Sequence, residues 1–115
     1  MFLLDILKRD VIMRIFPAKV LRVVDGDTAD FEIDLGFHIK TKIRGRLMGV
    51  DTPERGHLEY KAATNVLETM LAKASKGKEY INLEVYKTGK YGRWLVNIEG
   101  VNKIMAERWP YKEKE

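Results

Sequence analysis

Three short stretches concentrate side chains that folding alone would not demand. "VVDGDTAD" sets Asp25 and Asp27 about a glycine, "RLMGVDTPE" carries Arg46, Asp51, Thr52 and Glu54, and "KYGRW" carries Arg93 beside Tyr91. Each has an ordinary reading. Asp-Gly is a hairpin turn with Asp27 as a turn acceptor. Asp51 or Thr52 can cap a helix, with Pro53 at its first position and Glu54 near its positive end. The two arginines can make salt bridges. Each stretch also has a chemical reading. Two carboxylates brought to one wet rim repel unless a cation lies between them. A hard dication, Ca²⁺ or Mg²⁺, would accept Asp27, Asp51, the Thr52 carbonyl and waters as ligands. A guanidinium fork matches two phosphoryl oxygens and keeps its charge at any working pH. A dication, paired Arg46 and Arg93 and a spare carboxylate are the parts that phosphodiester hydrolysis needs, with Glu54 to position or deprotonate water.

Composition narrows the alternatives. The chain has 115 residues, 45% of them hydrophobic and 33% charged, which describes one ordinary globular domain with a core of its own. It contains no cysteine, so disulfides, a thiol nucleophile and thiolate metal sites are excluded. A net charge of +4 suits a polyanionic partner such as nucleic acid. His38 and His57 lack the spacing of paired metal ligands and read as loop or solvent-facing residues. At the N-terminus, Asp5, Lys8, Arg9 and Asp10 interrupt an apolar run, leaving nothing of signal-peptide or membrane-spanning length. Residues 1–12 read as an amphipathic extension that packs on the body or frays, 13–110 as the domain, and 111–115 as a charged tail. The default expectation is a cytoplasmic monomer with no membrane partner.

The elements that must position these groups follow from periodicity. "AKVLRVV" predicts a strand ending at Asp25-Gly26. Phe31, Ile33 and Leu35 alternate with Asp30, Glu32 and Asp34; Phe37, Ile39, Thr41 and Ile43 alternate with His38, Lys40, Lys42 and Arg44. That is a hairpin with one wet side, its acidic strand facing a basic one. Gly45 then breaks the alternation, as a bulge or barrel bend would. From Leu58 to Ala74 the period becomes that of an amphipathic helix. "EYINLEVY" and "RWLVNI" predict two more strands, and "VNKIMAER" a short helix stopped by Pro110. Five short strands, with a helix between the third and fourth and another at the end, make the fold mainly β with helices, in the pattern of an OB-fold barrel.

"VVDGDTADF", "RLMGVDTPE" and "KYGRWLVNI", in this order, resemble the staphylococcal nuclease-like (thermonuclease) family over about Lys19 to Met105. The resemblance implies an OB barrel and a Ca²⁺-dependent endonuclease that cleaves DNA and RNA with little sequence preference, leaving 3′-phosphate ends. It implies one Ca²⁺ per chain, with Mg²⁺ the second choice, held by Asp27, Asp51 and the Thr52 carbonyl. Arg46 and Arg93 would bind the scissile phosphate, Glu54 the attacking water, and Lys90 and Tyr91 a neighbouring phosphate. Asp25 would stand behind the metal ligands. Against the family pattern, the hairpin before Arg46 is longer and the loop after Glu54 much shorter, and a further C-terminal helix is missing. The nucleotide's aromatic wall is not placed; Trp109 and Tyr111 are candidates that serve equally to close the barrel. The rival reading is a weakly catalytic or inactive OB-fold nucleic-acid-binding module. A third is a structural domain whose charges only pair with one another.

Overall fold

A computed structural model of the chain describes residues 11–88 and 94–112. In chain order the elements are β1 (Val11–Asp25), β2 (Thr28–Gly36), β3 (Ile39–Leu47), α1 (Tyr60–Ser75), β4 (Ile81–Thr88), β5 (Trp94–Asn97) and α2 (Asn102–Arg108). The strands form a closed barrel in the order β1-β2-β3-β5-β4. All neighbours are antiparallel except β3 and β5, which run parallel and set Arg46 beside Leu95. Among the described residues no helix is long and apolar enough to cross a membrane.

The hairpin takes the register its charges predict. Asp30, Glu32 and Asp34 stand opposite Arg44, Lys42 and Lys40, and Asp30 accepts from Arg44 Nε at 2.8 Å. That hydrogen bond, with the positive charges of Arg44 and Arg22, holds the Asp30 carboxyl below its ordinary range. Both arginines meet water, so such pairs fix register more than they add stability. The apolar alternation outruns the barrel, however. Leu35 and Ile39 are exposed, and Phe37 is 94% exposed at the hairpin tip. There Phe37 and His38 take φ of 54° and 64°, the turn geometry that normally selects Asn-Gly.

Three other expectations change. The first strand is longer than "AKVLRVV", running from Val11. Pairing with β2 begins only at Ala18, while pairing with β4 covers Val11 to Ala18. Pro17, which has no N–H to donate, stands where the second partner is lost. Gly45 forms no bulge; it pairs in register with Ala29 and Trp94. Its role is close approach, since a Cβ there would lie 2.7 Å from Val96 Cγ1 and 3.3 Å from Phe31 Cε2. Nor do Asp51 and Thr52 cap the helix. The turns at 55–59 delay α1 to Tyr60, and its N-cap, Glu59, makes no side-chain cap bond.

Helix α1 buries Ala63, Leu67 and Leu71 in a core shared with Phe31, Leu47, Leu83, Val96 and Met105. Burying each leucine contributes about 2–3 kcal/mol, which offsets the missing cap. At the other helix, Asn102 is buried and fully engaged. Its Oδ1 accepts from Ile98 N–H at 2.9 Å, and its Nδ2 donates to the carbonyls of Met48 at 2.9 Å and Val96 at 3.0 Å. One amide thus ties α2 to the end of β5 and to the turn after β3. Asn102→Ala removes the partner of the Ile98 N–H and the Met48 carbonyl, while the Val96 carbonyl keeps the Met48 N–H, and urea unfolding should show about 2–4 kcal/mol less stability. An unchanged urea midpoint would mean that the amide is not a structural tie.

Candidate active site

Along β3 the residues Lys40, Lys42, Arg44 and Arg46 share the outer face, by the two-residue period of a strand. The first three each face an acid on β2, but Arg46 stands opposite Thr28. Lacking a carboxylate across the ladder, the guanidinium draws on the two flanking turns. Arg46 Nη2 donates to Asp51 Oδ1 at 3.1 Å and to the Val50 carbonyl at 3.3 Å, and lies 3.7 Å from Asp27 Oδ2. Asp27 ends the β1–β2 turn and Asp51 follows the turn after β3. The two predicted metal ligands therefore converge, as the shared end of the hairpin implies.

The turns are held from several sides. Leu47 N–H donates to the Asp27 carbonyl at 2.8 Å, Thr28 Oγ1 donates to Asp27 Oδ1 at 2.9 Å, and Thr52 N–H donates to Asp27 Oδ2 at 3.2 Å. Asp51 N–H donates to the Trp109 carbonyl, and Tyr111 N–H to the Gly49 carbonyl. The C-terminal segment therefore braces the Asp51 turn, with Val50 bridging to Pro110. Of the two aromatic candidates, Trp109 is buried in the core, whereas Tyr111 is exposed with its ring centroid 6.0 Å from Arg46 Cζ. Tyr111 is the one that reaches the site.

Gly26 is buried beneath this arrangement. A Cβ there would meet Ala63 Cβ at 2.7 Å and Thr52 Oγ1 at 2.8 Å, so the acidic turn lies directly against Thr52 and α1. The sequence presents Gly26 only as half of an Asp-Gly turn; nothing in the pattern signals the packing beneath it. Asp25 accepts from the Asp27 N–H through Oδ1 at 3.2 Å. Burial pushes its carboxyl above the ordinary range, the Asp27 carboxylate pushes it further, and the N–H it accepts offsets part of this.

Glu54 is exposed, and among the described residues no hydrogen bond or ion pair ties its carboxylate to Arg46, Asp27 or Asp51. Lys90, Tyr91 and Arg93 lie outside the described residues. The next residue after them, Trp94, is opposite Gly45, one position from Arg46. Among the described residues no three His, Cys, Asp or Glu side chains form a ready-made metal cage. The Asp27 and Asp51 oxygens within 4 Å of one Arg46 nitrogen nevertheless fit a hard cation that keeps several waters. No protein-family model and no curated protein matches the chain.

Two substitutions test this construction. Gly26→Ala should cost about 1–3 kcal/mol by overpacking and shift the Thr52 amide resonance; an unshifted amide at full stability would contradict the close approach. Asp25→Asn removes a charge that the fold disfavours. In metal-free protein it should be more stable than the parent at neutral pH. That advantage should shrink as pH falls through the raised Asp25 pKa and vanish below the ordinary 3.8, where the parent is protonated in both states. Urea titrations across that range measure the difference, and a gain that grows on acidification would reverse the sign of the coupling.

Proposed function

We propose that the chain is a metal-dependent endonuclease hydrolysing phosphodiester bonds of DNA and RNA, with Ca²⁺ preferred to Mg²⁺. One observation carries this reading: Asp27 and Asp51, from separate turns, meet at the Arg46 guanidinium on an otherwise charge-paired face. The closed five-stranded barrel supports an OB-fold assignment and, with the three motifs, membership of the staphylococcal nuclease-like family. The basic net charge supports a polyanionic substrate.

Asp27, Asp51 and the Thr52 carbonyl would hold the dication. It would supply charge to stabilise the phosphoryl oxygens as hydrolysis proceeds. Glu54 takes a proton from the attacking water, whose oxygen bonds to phosphorus as the bond to the 5′ oxygen breaks. The leaving alkoxide gains a proton to become a 5′-hydroxyl, and the phosphate stays on the 3′ end. Arg46 and Arg93 bind the equatorial oxygens, where negative charge grows most, and so favour the transition state over bound substrate. Lys90 and Tyr91 hold the adjoining phosphate.

In this reading Arg46 has two settings. Without metal it serves as counterion to both aspartates; with a dication between them it can turn its fork to phosphate. Incubating the protein with supercoiled plasmid or heat-denatured DNA, with Ca²⁺, Mg²⁺ or chelator, should give cleavage that chelator abolishes. Product ends should resist polymerase extension until treated with phosphatase. Retention of DNA without cleavage under any metal would instead identify a binding module.

Arg46→Lys should keep the circular dichroism spectrum while lowering kcat by roughly 10²–10³-fold, the effect of losing one preorganised donor. Undiminished cleavage by the folded variant would remove Arg46 from the reaction. Substrate affinity should also fall steeply between about 50 and 200 mM salt through counterion release; a flat response would argue against a polyanion.

A further inference from the structure

The inner face of the barrel is covered unevenly. One end is filled by α1 and the core beneath it, but towards the other lies an open groove of about 320 Å³. Phe16, Ile33, Ile43, Val85 and Trp94 line it, and among the described residues Arg14 is its only charged lining residue. Leu35, also in the lining, is exposed. This is the level at which β1 has lost β2 as a neighbour and keeps only β4. An apolar space of this size, opened to water, normally has an occupant.

We propose that the occupant is the N-terminal segment of this same chain, with Phe2, Leu3, Ile6 and Leu7 seated in the groove. Those residues recur three and four apart, forming one apolar stripe, with Asp5 and Asp10 supplying charge. Attachment favours this segment over a free partner. Residue 10 adjoins Val11, where β1 begins, and the lining residues Arg14 and Phe16 follow on that same strand. As a helix the ten residues span about 15 Å, and the lining begins at Arg14, close to the start of β1. So short a tether gives an effective concentration in the millimolar range, so modest apolar burial suffices. The pairing is also complementary in charge, since Arg14 can receive Asp5. A small polar ligand suits the groove less well, because the lining offers few groups to orient it.

The full chain, and the same chain carrying Leu3→Asp and Ile6→Asp, test the proposal. In the parent, nuclear Overhauser contacts should join the methyls of Leu3, Ile6 or Leu7 to the Trp94 indole and the Ile43 methyls. The double variant should lose those contacts, and its Trp94 emission should shift to longer wavelength and become more accessible to acrylamide. Both chains should sediment as monomers, and cleavage should be unaffected because the site lies elsewhere. A folded parent without the contacts would overturn the proposal, as would equal quenching in the two chains. Trp94 protection that appears only as protein concentration rises would assign the groove to a second copy instead. Protection seen only with anionic phospholipid vesicles would assign it to a membrane.

Discussion

The parallel pairing of β3 with β5 is the constraint on which the rest of the molecule depends. It closes the barrel between strands distant in sequence, and it is tight because Gly45 presents no side chain to Val96 and Phe31. Once closed, it fixes three things together. Arg46 stands beside Leu95, the turn after β3 hydrogen-bonds through Met48 N–H to the Val96 carbonyl, and Asn102 bridges both segments to α2. The Asp51 turn is thus carried on a rigid edge rather than a free loop, which is what a site with fixed charge geometry requires.

Electrostatics on the outer face then separate a structural region from a chemical one. Lys40, Lys42 and Arg44 are each opposite an acid, so that stretch neutralises itself residue by residue. At Arg46 the pattern breaks: Thr28 faces it, and the carboxylates arrive from two turns instead. Half-buried Asp25 stands behind them, its carboxyl pushed up first by burial and then by Asp27 beside it. Two carboxylates, with Asp25 behind them, share one guanidinium, so acid exceeds base at this rim.

Much of this was legible in the residues themselves. Strict alternation in β2 and β3 specifies both the hairpin and its register, because a one-residue slip would part every acid from its basic partner. That hairpin also brings the Asp27 and Asp51 turns to one end, where the closure and the C-terminal segment hold the second of them. Other features leave no local trace. The N-terminal half of β1 is masked by Pro17 and by an apolar run without clear period. Asn102 looks like any polar residue starting a helix until three backbone groups are found around its amide. Tyr111 reaches Arg46 only because Val50 and Pro110 bridge across the chain. These are tertiary facts, created by closure rather than by any window of sequence.

The long hairpin shows how far pattern and packing can part. Its alternation continues through Leu35, Phe37 and Ile39 although the barrel no longer covers them. Left-handed conformations at Phe37 and His38 cost energy that Asn-Gly would avoid, and a nearly fully exposed phenylalanine regains none of it within the barrel. Strain and exposure at one tip set Leu35, Phe37 and Ile39 beside an apolar opening, at the end where β1 leaves β2. Charge chemistry is gathered at the opposite end of the same hairpin, where β2 begins and β3 ends. A single β-ribbon therefore presents two surfaces of different character at its opposite ends, one charged and one apolar.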